Sequence, residues 1–217
     1  MPSQRRPTDI LDVMMRSTVV AIVVGALGMT TVSAQRAAGT RVTTSKTCAA
    51  SLGTGLKSKR EFCDVIIAKV PKDSVAIAIP PHAGTVTLMF DLHNRFTLPA
   101  VAAAPALMYA RHEAIVSVVK PTGEVINRAA VVREFRLVTD LFDQITGGGR
   151  PGGVKAIAPG PAEAIRFTIP AGINAIGIVG SRLQTLTRAG GDEVFENPGR
   201  PVAIVSNVRV EFKPVAR

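Results

Sequence analysis

Tryptophan is absent from this 217-residue chain, tyrosine occurs once, and aromatic residues of all kinds make up 4%. A groove that stacks single-stranded nucleic acid needs such rings as platforms, and a surface that grips sugar rings needs flat aromatic faces. Both are disfavoured, which leaves hydrogen-bonded recognition in loops open. Cysteine occurs twice, at Cys48 and Cys63, too few for a disulfide-dense mini-scaffold. Their fourteen intervening residues, with no His nearby, match neither a redox nor a zinc motif. The pair reads as one structural disulfide of an oxidising compartment, closing a loop worth about 3 kcal/mol on chain entropy. Also missing is any sustained i, i+3, i+4, i+7 apolar stripe, so helices are minor. Acidic residues are the minority, 16 against 26 basic, for a formal charge of +10.

What is present is apolar residue in quantity. At 47% hydrophobic the chain is too apolar for a disordered protein, and its 19 glycines follow no collagen period. Arg5, Arg6 and Arg16 precede an uncharged run, residues 17–35, with the apolar heart VVAIVVGALGM and the small residues Val32-Ser33-Ala34 at its end. That is the layout of a secretory signal cleaved after Ala34. Retention of residues 17–35 as an inner-membrane anchor is the alternative, since such a run just spans a bilayer. Met14 and Met15 before Arg16 also look like starts alternative to Met1. Removing residues 1–34 takes away three Arg and two Asp, so the mature chain keeps 23 basic and 14 acidic residues.

Residues 35–61 are expected to form a flexible basic lead-in and the disulfide loop, and residues 62–217 a single β-sandwich. Val86, Leu88, Phe90 and Leu92 alternate with Thr85, Thr87, Met89, Asp91 and His93, the period of a half-buried strand. Val208, Val210 and Phe212 face in while Asn207, Arg209 and Glu211 face out. INAIGIV (173–179) is apolar enough for a central strand covered on both faces. Further strands are expected near 75–79, 107–120, 131–139, 164–169, 174–180 and 183–187, the last two separated by a turn at Ser181. Residues 140–145 suit a turn of helix, and 98–105 and 147–161 are expected to be long connections. Uneven connections favour an all-β, antiparallel, jelly-roll-like sandwich over an up-and-down barrel. The closing SNVRVEF (206–212) resembles the last strand of galactose-binding-like jelly rolls, a resemblance that implies topology and carries no functional residue.

Groups able to do chemistry are few. Asp91 and His93, two apart on one strand, share a face; with His82 or His112 they could begin a catalytic or metal site. On the plainer reading they sit on a solvated face beside Thr85 and Thr87. No serine sits in a nucleophile elbow, and the carboxylates Asp140 and Asp143 lie among polar neighbours. The glycine-rich run 147–153 lacks the Lys-Ser/Thr of a phosphate loop. Lys57, Lys59 and Arg60, and separately Arg150 and Lys155, are candidate anion-binding residues. Neither metal nor cofactor is expected. The chain therefore reads as a non-catalytic binding or structural module of the cell envelope, periplasmic or extracellular. Its expected partner is a protein or an anionic envelope component, and specific nucleic-acid binding is not expected. The alternative is a secreted hydrolase or metal-dependent enzyme built on Asp91 and His93.

Overall fold

A computed structural model describes residues 40–96, 109–146, 154–188 and 191–215. The signal segment, its anchor alternative, the connection 98–105 and Arg150 lie outside the described residues.

The chain is an all-β sandwich of two antiparallel sheets. Eight strands form its frame: β4 (Glu61–Ile66), β5 (Val75–Ala78), β6 (His82–Asn94), β7 (Ala110–Val119), β8 (Val125–Phe135), β11 (Glu163–Ile169), β12 (Ala175–Thr187) and β14 (Pro201–Pro214). One sheet runs β4-β14-β6-β11 and the other β5-β12-β7-β8. Along the chain, the first frame strand thus pairs with the last, the second with the seventh, the third with the sixth and the fourth with the fifth. That is an antiparallel ribbon rolled on itself, the jelly roll. The inner faces meet in one core, in which Val86, Leu88, Phe90 and Leu92 of β6 pack with Val116 and Val118 of β7 and Ile176 and Ile178 of β12.

The expected lead-in is not loose from Arg41 onward. It holds β1 (Arg41–Thr43), β2 (Lys46–Cys48) and β3 (Ser51–Gly55), each paired antiparallel, β2 at the edge of one sheet and β3 inside the other beside β4. Strand pairing needs backbone groups and no apolar alternation, so composition did not mark these segments. Cys48 of β2 belongs to one sheet and Cys63 of β4 to the other. The pair lies at disulfide distance, with Cα atoms 5.6 Å apart, and cross-ties the sandwich.

Three further expectations are corrected. Residues 140–145 are not a helical turn: a 3-10 turn, Val138–Asp140, leads into β9 (Leu141–Thr146). The Asp140 carboxylate accepts from the Arg136 and Leu137 amides and stops the turn there. The connection 147–161 contains β10 (Val154–Pro159), so β9 and β10 form an antiparallel pair that extends the first sheet through β3. Ser181 is not a turn between two strands. β12 is continuous, with a bulge between Gly180 and Arg182, and Ser181 Oγ meets Ser117 Oγ at 2.7 Å. A last short strand, β13 (Asp192–Phe195), pairs with the second half of β12.

Gly180 is a site of close approach. The segment leaving β4 crosses directly over it, Ile67 bridging to Gly180 itself. A Cβ at Gly180 would lie 2.6 Å from Val202 Cγ2 and 2.9 Å from Ile67 N. Gly180→Ala is therefore expected to cost about 1–3 kcal/mol through overpacking, read as a lower denaturation midpoint with unchanged m. An unchanged midpoint would show that the crossing can shift freely.

Candidate functional site

Asp91 and His93 face away from the main core, as their spacing requires, yet not toward solvent. The first sheet curls, so that β10 at its far edge returns against β6. Inside the curl lies a second apolar core of Leu52, Phe62, Ile145, Ala158 and Ile204, with Phe142 against it. His93 is fully buried there. Its ring centroid is 5.0 Å from that of Phe142 and 5.6 Å from that of Phe62. Nε2 bonds Ser206 Oγ at 3.0 Å, and among the described residues Nδ1 has no hydrogen-bond partner. Asp91 instead pairs with Arg60 and accepts from Asn207 Nδ2 at 3.3 Å, so it does not orient the imidazole. The solvated-face reading is overturned. Alternation tells which side a residue takes; here a distant strand pair covers that side.

The three histidines do not converge. His82 begins β6, eleven residues from His93, about 36 Å along a strand. His112 points into the sandwich from the other sheet, bonding Thr185 Oγ1 through Nδ1 at 3.1 Å. Among the described residues no three His, Cys, Asp or Glu side chains gather as a metal set.

The basic loop after β3 is also committed internally. The buried Asp143 carboxylate accepts from the Lys57 amide at 2.9 Å, the Ser58 amide at 2.7 Å and the Gln144 amide at 2.8 Å. Burial alone would raise its pKa, but the Ser58 side chain and these amides together hold it below the ordinary carboxylate value. Gly55 admits the carboxylate, for a Cβ there would collide with Asp143, Ser58 and Phe62. The amide cradle that an anion would use is thus filled by the chain itself. Lys57 and Lys59 remain exposed above it, Arg60 is engaged by Asp91, and Lys155 lies on β10.

A roomy concavity lies elsewhere among the described residues, where the two sheets part at one end of the sandwich. It is an open cleft of about 790 Å³, within the size range of small-molecule sites. β6 contributes Arg95 just beyond its end, with Phe96; β7 contributes Ala110 and His112; β12 contributes Leu183 and Thr185. β13 brings Glu193 and Phe195, and the turn before β14 brings Asn197 and Arg200. Phe96, Ala110 and Leu183 make an apolar floor. Phe96 stacks on Phe135, with centroids 3.9 Å apart, and meets His112 edge-on. Burial holds the His112 pKa below the ordinary imidazole value, and its Nε2 is buried with no partner among the described residues. Arg95 is paired with Asp64. The Arg200 guanidinium lies 3.4 Å above the centre of the Phe195 ring, and among the described residues no carboxylate pairs with it.

No protein-family model, curated protein or solved structure matches this chain.

The site is therefore read from its own geometry. Of the residues singled out in the sequence, the cleft takes up His112. Arg95, Phe96, Thr185, Glu193, Phe195 and Arg200 carry no local motif. They come from four separate stretches of chain that the sandwich topology alone brings together.

His93 makes the sealed curl measurable. Burial drives its pKa down to about 4, against the pull of Asp91, with Arg60 and Arg133 lowering it further and Asp143 opposing them. An unfolded chain protonates this imidazole below its ordinary value of 6.5, while the native one stays neutral until about 4. Stability from this group is therefore complete above pH 6.5 and is lost as pH falls toward 4, a change of about 3 kcal/mol. The double variant His93→Leu, Ser206→Ala is expected to flatten that window in pH-resolved urea denaturation. A wild-type curve already flat between pH 6.5 and 4 would mean the imidazole is reached by solvent.

Proposed function

We propose that the protein is an exported, non-catalytic binding module of the cell envelope, and that its ligand carries an anionic group and an apolar body seated in the end cleft. The observation that carries this reading is Arg200, a guanidinium held over the Phe195 ring and, among the described residues, without a carboxylate partner, at the rim of an apolar-floored cavity. A guanidinium so held has little freedom left to lose on binding, and its donors match a carboxylate or phosphate. The two groups best placed by sequence for acid–base work support binding over catalysis, since His93 is sealed and Asp91 is paired. Export is supported by the signal-like residues 1–34 and by Cys48 and Cys63 at disulfide distance, a pairing that persists in oxidising compartments. Among the described residues no helix is long and apolar enough to cross a membrane.

Retention on immobilised protein tests the reading. Exposed charge attraction is screened beyond about 10 Å at 0.1 M salt, so envelope material held by general basicity elutes as salt rises. The proposal predicts a component that survives the salt wash and is lost at least tenfold in Arg200→Ala, while the Lys57→Ala, Lys59→Ala pair retains it. Equal loss from both variants, or complete elution by salt, refutes it. Terminal sequencing of the protein recovered from its producing cells is expected to begin at Gln35; a chain that keeps residues 17–35 in the membrane fraction would establish the anchored form.

A further inference from the structure

We propose that the cleft takes a short zwitterionic peptide, a dipeptide-length ligand with free amino and carboxyl ends and apolar side chains. The inference rests on the cleft being the binding site and names the class of ligand it fits.

Glu193 and Phe195 are alternate residues of β13 and both line the cleft, so their side chains leave one side of the strand. Two residues of strand separate them by about 6.6 Å. Since Arg200 lies over the Phe195 ring, a cation and a carboxylate stand on one wall, carried at strand positions that far apart. Neither is neutralised: among the described residues Glu193 has no basic partner, as Arg200 has no acidic one. Arg95, which also lines the cleft, already has Asp64. A simple anion at Arg200 would meet Glu193, and a simple cation at Glu193 would meet Arg200. A ligand bearing both charges at matching separation satisfies the pair. An extended dipeptide has its amino and carboxyl groups about two residue lengths apart, about 7 Å.

The rest of the lining fits the middle of such a ligand. Thr185 stands directly across from Glu193 in the β12–β13 register, and its hydroxyl is held by His112. The Thr185 hydroxyl is thus the polar group on this wall placed to meet the ligand's central amide. Phe96, Ala110 and Leu183 below offer apolar surface to side chains.

Isothermal titration of the full chain with four probes decides the matter: leucyl-leucine, its N-acetyl form, its C-terminal amide, and the doubly blocked peptide. Leucyl-leucine is expected to bind at least tenfold more tightly than each blocked form. Glu193→Gln should erase the preference for a free amine and leave the preference for a free acid. Arg200→Gln should do the reverse. If the N-acetyl peptide binds as well as leucyl-leucine and Glu193→Gln changes nothing, the zwitterionic ligand is overturned while the anion-binding cleft stands. If none of the four binds, the peptide is overturned, and retention of envelope material by Arg200 still judges the cleft independently.

Discussion

The Asp143 carboxylate, gripped by the amides of Lys57, Ser58 and Gln144, is the contact on which the closed end of this molecule depends. It ties β9 to the loop after β3 and so holds the β9–β10 pair over the outer face of the first sheet. Between that pair and the sheet Phe62, Ile145 and Ile204 find a dry environment they would otherwise lack, and His93 is enclosed with them. An unmet buried carboxylate would be costly; three amide donors make it an anchor. One interaction thereby removes two apparent sites: the imidazole is walled off, and the basic loop's backbone cradle is filled from within.

The opposite logic holds where the sheets part. There the jelly-roll frame leaves its inner faces unclosed, and aromatic, aliphatic and charged side chains stand together around an open volume. Several arginines that contribute to the formal charge are engaged in pairs. Arg60 meets Asp91, Arg95 meets Asp64, and Arg133 meets Glu163 while donating to the Pro161 carbonyl across the β8–β11 edge. Basic composition is thus partly structural cement. Arg200, set against an aromatic face with no acid beside it, is of a different kind, and the functional proposal is built on that difference.

Strands that alternate cleanly were legible from sequence, because one face of each meets the main core: 85–92 and 208–212 are the plainest cases. The apolar run 173–179 was legible as a central strand, and it is flanked by β5 and β7 as such a strand should be. What escaped were features fixed by distant chain. The sequence predicts a strand end at Gly180 and a turn at Ser181, whereas Gly180 makes room for Ile67 within a continuous strand. β3, β9 and β10 carry no strong alternation, and their pairing is settled by one another. His93 was placed on the right side of its strand, but nothing local announces that β9 and β10 will cover it. For the same reason the cleft was invisible: Phe96, Glu193 and Arg200 are neighbours through topology alone.

The central claim is that ligand recognition belongs to the open end and not to the basic loop or the sealed histidine. Backbone-amide NMR of the labelled chain titrated with leucyl-leucine, which carries a carboxylate and an apolar body, tests it most directly. The account predicts shift changes concentrated at residues 95–96, 112, 183–185, 193–195 and 197–200, with residues 57–60 and 93 unmoved. Changes centred on residues 57–60 instead would contradict it, since that loop's amides would then be free to take an anion that Asp143 is held to have displaced.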